Sequence, residues 1–219
     1  MKLTKTLLTT ALLGASVFSF QSTAWADTPV QQFQQGSEAT TRGDYQTVFK
    51  FLLPLAEQGN AEAQLLLGNM YASERGVKQD DVEAVKWYRK AAEQGNAGAQ
   101  SNLGAMYDTG RGVKQDDFEA VKWYRKAAEQ GYAAAQSHLG VMYAKGQGVK
   151  QDDFEAVKWF RKAAEQGYAP AQLVLGALYL SGKGVQVNKS LAKEWLGKAC
   201  DNGYQVGCEY YSKLNRGEL

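Results

Sequence analysis

The sequence predicts an all-α solenoid of about 11 helices, arranged as antiparallel helix pairs. Two observations predict this fold, namely the fixed spacing of a repeated segment and the close similarity of its copies. A 36-residue segment recurs four times, beginning at Ala61, Ala97, Ala133 and Ala169, and the first three copies share the run GVKQDD-x-EAVKW-x-RKAAEQG. A fixed period of this size is typical of stacked helical units. The 219 residues are 44% hydrophobic and 22% charged, a composition that fits a soluble globular protein and excludes collagen, long disordered tails and polytopic membrane proteins.

Residues 1–26 predict a secretory signal peptide. Two lysines precede an apolar run from Leu7 to Phe20, and residues 24–26 read Ala-Trp-Ala, which fits a cleavage site after Ala26. The run is shorter than the roughly 18 to 20 residues that span a bilayer, although an uncleaved anchor helix is the alternative. Cleavage removes two lysines and no acid, which leaves no net formal charge. We therefore expect a periplasmic or secreted protein that binds neither nucleic acid nor membrane.

Residues 27–60 are predicted to form a degenerate N-terminal repeat, and residues 205–219 a C-terminal capping helix. The N-terminal unit has a turn at residues 42–44, followed by a helix from Tyr45 to Gln58 that Pro54 could kink. Terminal units of a solenoid deviate because one of their faces meets water.

Residues 61–204 form four full units, each with a helix A and a helix B. In the first unit, helix A runs from Ala61 to about Ser73, with its apolar residues at helical spacing. The Asp80/Asp81 pair is a good N-cap for helix B, which Gly95 ends.

A glycine recurs inside every helix A, at Gly68, Gly104, Gly140 and Gly176. Glycine in a helix interior costs about 1 kcal/mol relative to alanine. Four copies therefore predict a compensating close contact between helices, with tryptophan and tyrosine filling the larger gaps.

The pattern A-x-A-Q-x-x-L-G-x-x-Y-x-x-G-x-G-V, followed by A-x-x-W-[YF]-x-K-A-A-x-x-G, resembles the Sel-1-like repeat (SLR), a branch of the tetratricopeptide superfamily. The resemblance is strong over 61–204 and weak before it. It implies a right-handed superhelix whose concave wall is lined by helix A, and a scaffolding role without enzymatic activity or cofactor. The fourth copy departs from the pattern at Leu196-Gly197 and at Asn188-Lys189-Ser190.

The two cysteines are predicted to form a disulfide, because an oxidising compartment lets such bonds persist. Cys200 ends the fourth helix B, Cys208 lies in the first turn of the capping helix, and a helix-turn-helix brings such positions close. This C-x7-C spacing is also similar to that of exported, cysteine-rich SLR proteins. A metal site is the poorer alternative, because no histidine lies nearby to complete four ligands.

No catalytic residue is predicted. His138 is the only histidine, at a variable helix A position, and no nucleophile and orienting partner can be identified for it. Residues 190–193 spell S-x-x-K, the nucleophile motif of serine β-lactamases, and some cysteine-rich SLR proteins are described as binding or slowly hydrolysing β-lactams. Neither S-D-N nor K-T-G occurs in the chain. A weak β-lactam-binding hydrolase acting through Ser190 is therefore the alternative function.

Five positions of helix A differ among the repeats, at offsets of 0, 1, 4, 7 and 8 residues, which is one face of a helix. We call them the variable face. An SLR-like superhelix would place it on the inner wall, as a groove with apolar ends and a polar middle. The expected partner is a protein or peptide of the envelope or of a host, and random drift at tolerant exposed positions is the alternative. The candidate binding residues are Leu65, Leu66, Asn69, Ser101, Asn102, Asp108, Ser137, His138, Val141, Lys145, Leu173 and Val174.

Overall fold

The computed structural model describes Ala39 and residues 42–219, which hold ten α-helices and no strand. The predicted signal peptide and most of the first helix of the N-terminal repeat lie outside these residues. The helices are α1 (Tyr45–Glu57), α2 (Ala61–Ala72), α3 (Asp81–Glu93), α4 (Ala97–Thr109), α5 (Asp117–Glu129), α6 (Ala133–Lys145), α7 (Asp153–Glu165), α8 (Ala169–Ser181), α9 (Lys189–Asp201) and α10 (Gln205–Asn215).

Each helix packs against the helix before it and the helix after it in the chain, from α1 to α10. The A helices are α2, α4, α6 and α8, and the B helices are α3, α5, α7 and α9. Four hydrophobic clusters follow one another along the stack, and each is built from neighbouring units. The predicted all-α solenoid is confirmed. None of the described helices is long and apolar enough to cross a bilayer.

Side-chain caps fix where the B helices begin. The Asp80 carboxylate accepts hydrogen bonds from the backbone N–H groups of Val82 and Glu83 at 3.0 and 2.9 Å, and Asp116 and Asp152 do the same in the next two units. In α9 the cap is Asn188. Each cap satisfies backbone donors that have no partner within the helix.

The glycine inside each A helix allows a side chain of the paired B helix to pack directly on its backbone. A Cβ atom on Gly68 would lie 2.5 Å from the Tyr88 ring, and one on Gly176 would lie 2.8 Å from Cγ of Leu196. The aromatic side chains at this position are almost completely buried in three units. Close helix contact therefore offsets the low helix propensity of glycine.

A buried glutamine joins each A helix to the helices on both sides of it. In the second unit, the Gln100 amide donates a hydrogen bond to the Ala92 carbonyl of the preceding B helix, at 3.0 Å. Its carbonyl accepts a bond from Gln130, at the end of the paired B helix, at 2.7 Å. We call this repeated arrangement the glutamine ladder. Its central members are Gln64, Gln100, Gln136 and Gln172.

Candidate partner-binding surface

The twelve candidate residues on the A helices differ in accessibility. His138 and Lys145 are exposed. Ser101 and Ser137 are buried. The other eight are partly buried, namely Leu65, Leu66, Asn69, Asn102, Asp108, Val141, Leu173 and Val174.

Ser101 and Ser137 do not face solvent, in contrast to the expectation for the variable face. Both occupy the same position of helix A as Leu65. A Cβ atom on Gly98 would lie 3.1 Å from Cδ2 of Leu65, so this position packs towards the next A helix. A serine there is covered by its neighbour, and a partner does not reach its side chain without moving that helix.

Asn69 joins the first two units at the polar part of the variable face. Its side-chain oxygen accepts hydrogen bonds from the Tyr88 hydroxyl at 2.9 Å and from the Asn102 amide at 3.0 Å. Burial raises the pKa of Tyr88 to about 12, so its hydroxyl keeps its proton and acts as a donor. The Tyr88 hydroxyl thus reaches across α2, beside the glycine on which its ring packs.

Asp108, Tyr124 and His138 form the corresponding polar group between the second and third units. The Tyr124 and His138 rings stack, with centroids 4.9 Å apart and planes 13° from parallel. Burial raises the pKa of Tyr124, and the Asp108 carboxylate adds to that effect. Desolvation lowers the pKa of His138, and the same carboxylate opposes the change. This arrangement favours a neutral imidazole and a protonated phenol next to one carboxylate.

Towards both ends of the stack, the variable face becomes apolar. Val141 and Val174 pack on the cluster around Phe160, which has no hydroxyl group. At the other end, α1 and α2 enclose a cavity of about 140 Å³. Its lining residues are Tyr45, Val48, Leu52, Leu66, Asn69, Met70, Ser73 and Arg75.

The S-x-x-K segment lies on the first turns of α9. Ser190 and Lys193 are both exposed. Asn188 caps this helix, and the Lys193 amine lies 5.8 Å from the Tyr211 ring centroid. Among the described residues, no group of three His, Cys, Asp or Glu side chains could hold a metal ion. The exposed position of Ser190 at the start of a helix does not favour the hydrolase alternative.

Cys200 and Cys208 form a disulfide between α9 and α10, with Cα atoms 4.5 Å apart. The predicted bond is confirmed. It closes the turn at which the terminal helix folds back on the stack.

Two features of the structure are absent from the sequence-based predictions. One is the glutamine ladder, which a glutamine at the same position of all four units could have indicated. The other is a pair of exposed aromatic side chains, Phe118 and Phe154. Val82 stands at the same position of the first unit, and an apolar residue at three of the four positions gives no signal for exposure.

Comparisons with known proteins identify the family. The family model of the Sel1 repeat matches residues 61–96, 97–132, 133–168 and 169–204. A search of curated proteins found no match.

Several solved structures are similar to this chain. The c5321 protein, described as a protective antigen present in uropathogenic Escherichia coli strains and displaying an SLR fold, is 36% identical, with a TM-score of 0.80. The match covers 88% of this chain but only 42% of that protein. A Sel1 repeat protein from Oxalobacter formigenes is also 36% identical, with a TM-score of 0.78 over 82% of this chain and 74% of its own.

A putative Sel1 repeat protein from Klebsiella pneumoniae is 26% identical, with a TM-score of 0.57 over 89% of this chain and 97% of its own. The family model alone covers more than half of the sequence. The chain therefore belongs to the Sel1 repeat family.

Proposed function

We propose that this chain is an exported, non-enzymatic scaffold that binds a protein or peptide through the variable face of its A helices. The observation that carries the proposal is where the repeats differ. The first three units are almost identical in helix B, whereas Asn102, Asp108, His138 and Lys145 mark positions that change from unit to unit. Sel1 repeats are associated with protein partners, which supports the same function.

The His138 ring is held in place from below and open on its other side. It stacks on the buried Tyr124 ring, with centroids 4.9 Å apart, while its side chain stays exposed. The contact with Tyr124 desolvates the imidazole and lowers its pKa. A fixed and accessible side chain of this kind supports contact with a partner.

The packing below the face supports a pre-formed binding surface. Tyr88 and Tyr124 pack on glycines of the A helices, and their rings are at least 96% buried. Side chains held in this way lose little freedom when a partner binds, so less of the binding free energy is spent on ordering the site.

Export is proposed from the signal-like residues 1–26 and from the disulfide, since such bonds persist in oxidising compartments. The similar c5321 protein is described as a protective antigen, which supports a partner in the cell envelope or in a host. We further propose that residues 27–60 form the N-terminal repeat and that residues 205–219 cap the stack.

Photo-crosslinking in the producing organism tests the binding face. A photoreactive amino acid replaces Lys145 on the variable face or, as a control, Glu129 on the exposed end of α5. We expect a protein adduct from position 145 only. Adducts of equal yield from both positions, or from position 129 alone, would contradict the proposal.

A pair of charge-swapped variants provides the matched control. Asp108→Lys with Lys145→Glu alters the variable face, whereas Lys122→Glu with Glu129→Lys alters α5, and both leave the net charge unchanged. The adduct at His138, replaced by the photoreactive residue in each background, should be lost in the first variant and kept in the second. Circular dichroism verifies that both variants are folded.

A further inference from the structure

Two phenylalanine side chains are exposed at matching positions of adjacent units. Phe118 and Phe154 each expose 77% of their surface, in the first turns of α5 and α7. Val82 occupies the same position of the first unit and is 52% exposed. Single exposed apolar residues are ordinary, but large aromatic residues repeated in one row form a patch of the kind that binds partners.

The loop of each following unit crosses the first turn of the preceding B helix. A Cβ atom on Gly148 would lie 2.1 Å from the Asp117 carbonyl oxygen, and one on Gly112 or Gly184 would lie 2.1 or 2.3 Å from the carbonyl oxygen of Asp81 or Asp153. The positive φ of Gly148 adds a second requirement for glycine. The residue before this glycine is therefore held next to an aspartate of the preceding unit.

The residue before the loop glycine is a cation at two of the three boundaries between the full units. Arg111 pairs with Asp81 at 2.6 Å, and Lys183 pairs with Asp153 at 3.4 Å. At both places a cation of the chain itself balances the charge of the carboxylate.

At the middle boundary, Gln147 stands where the other boundaries have Arg111 and Lys183. Among the ion pairs of residues 42–219, none includes Asp117. Its carboxylate accepts only a 3.5 Å hydrogen bond from the Gln115 amide. Asp117 therefore has no cation of the described chain beside it. Asp117 and its neighbour Phe118 line an open depression together with Gly148.

We propose that Phe118, Asp117 and Phe154, which we call the phenylalanine edge, form a second docking surface. It binds a segment of a partner protein that carries a lysine or arginine between apolar side chains. The cation pairs with Asp117 in the place that Arg111 takes beside Asp81, and the apolar side chains cover the two phenyl rings. None of these three residues belongs to the variable face, so binding at the phenylalanine edge does not use the residues of that face.

Charge complementarity selects this partner. The other carboxylates of these helical turns already have partners. Glu119, Glu155 and Asp153 pair with Lys122, Lys158 and Lys183, and Asp116 and Asp152 accept the backbone N–H groups of their helix starts. Asp117 is therefore the carboxylate left for an external cation. A second copy of this chain fits less well, because a two-fold contact places like residues opposite one another. An anionic lipid surface is also disfavoured by the carboxylate.

Fluorescence anisotropy with short labelled peptides tests the proposal. The probe contains Leu-Arg-Leu-Arg-Leu between Gly-Ser flanks, and the controls replace Arg by Glu or Leu by Ser. We expect the Leu-Arg probe to bind at least about tenfold more tightly than either control. Equal binding of the three peptides, or no binding of the probe, would overturn the proposal.

Variants of the full mature chain locate the site. Phe118→Ser with Phe154→Ser, Asp117→Asn and Gln147→Arg should each weaken probe binding about tenfold, the last because it supplies the missing cation from within the chain. Val82→Ser is the matched control and should bind as the parent does, since Asp81 beside it is already paired. Should the serine variants fail to fold, Asp117→Asn and Gln147→Arg still decide the outcome. Unchanged binding in those two variants rejects the site.

Two measurements distinguish a partner segment on the phenylalanine edge from a second copy of the chain and from binding at the variable face. Analytical ultracentrifugation of the parent should show a monomer, and a dimer that dissociates in the Phe118→Ser, Phe154→Ser variant would identify a second copy as the occupant and overturn the proposal. Asp108→Lys with Lys145→Glu should leave probe binding unchanged. Loss of binding in that variant would place the probe on the variable face instead.

Discussion

A Cβ atom placed on Gly104 would lie 2.8 Å from Cδ1 of Tyr124, so the ring of α5 rests directly on the backbone of α4. The ring is 99% buried and also stacks on His138 of the next unit. One close approach thus holds the two helices of a unit together and supports a residue of the proposed binding face.

We expect Gly104→Ala to lower the free energy of unfolding by about 1 to 3 kcal/mol, because the new methyl group overpacks against a ring that has no space to move. The gain in helix propensity from glycine to alanine, about 1 kcal/mol, is already included in this range. Urea denaturation of the parent and the variant measures the difference.

Gly98→Ala is the matched control for that substitution. Gly98 also lies in α4, but its nearest neighbour is the flexible end of Leu65, at 3.1 Å. We expect this variant to be as stable as the parent or slightly more stable. A loss equal to that of Gly104→Ala would show that close packing on Tyr124 is not the cause.

Replacement of a buried central glutamine of the ladder should lower the free energy of unfolding more than replacement of the exposed glutamine that donates to it. Gln100→Leu removes two hydrogen bonds, the one that Gln100 donates to the Ala92 carbonyl and the one that it accepts from Gln130. The Ala92 carbonyl keeps its bond from the Gly95 N–H, so we expect a loss of about 1 to 2 kcal/mol in the free energy of unfolding. Gln130→Ala removes an exposed donor, and its loss should be under about 1 kcal/mol. Equal losses for the two variants in urea denaturation would argue against the ladder.

The fold was largely predictable from sequence, because each unit repeats the same packing and the period fixes the register. The glycine, tryptophan and aspartate positions report helix contacts and caps that act within one unit or its neighbour. The ladder was not predicted, because a glutamine at a fixed position reads equally well as a surface residue. Only the three-dimensional packing shows that Gln100 is 4% exposed.

Loss of the disulfide should act mainly on α10. We expect Cys200→Ser with Cys208→Ser to destabilise the chain by about 2 to 3 kcal/mol on the chain-entropy model, because the bond closes a short loop at the end of the stack. Hydrogen exchange should show lost protection in α10 and unchanged protection in α4. Retained protection of α10 in the variant, or in the reduced parent, would contradict this prediction.

The stability of the chain should decrease as the pH falls below about 6.5. Desolvation lowers the pKa of His138 in the folded state, so between its unfolded and folded values the unfolded chain binds more protons. Protonation therefore favours unfolding, and this part of the stability is fully present above the unfolded pKa.

His138 is the only histidine of the chain, which makes the test simple. Urea denaturation at about pH 7.5 and about pH 5.5 compares the parent with His138→Gln, and the variant should show the smaller change. Asp108→Asn should show a larger change than the parent, because it removes the charge that opposes the lowered pKa. An equal pH dependence in all three proteins would show that His138 does not contribute.

The exported protein should begin at Asp27. Intact-mass measurement and N-terminal sequencing of the protein from the periplasm or the medium determine this residue. Ala24→Lys places a charge where signal peptidase requires a small residue, so this variant should accumulate as the precursor. A parent protein that retains Met1 would rule out the predicted cleavage.

The candidate binding face was only partly predictable, for a physical reason. A helix shows which residues share a face, but how much of that face is covered depends on the spacing of the next A helix. Ser101 and Ser137 occupy a position that varies among the units and are nevertheless buried, whereas the neighbouring His138 is exposed. Exposure of Phe118 and Phe154 likewise depends on the loop that passes beside them.

The glutamine ladder also bears on how such a chain can change its length. Each central glutamine donates one hydrogen bond to the preceding B helix and accepts one from the end of its own paired B helix. A whole unit of 36 residues therefore presents the same two hydrogen bonds to the unit on either side. A unit copied or removed in one piece leaves every remaining hydrogen bond of this kind intact. Duplication and deletion of units can therefore lengthen or shorten the molecule without redesign of its interior.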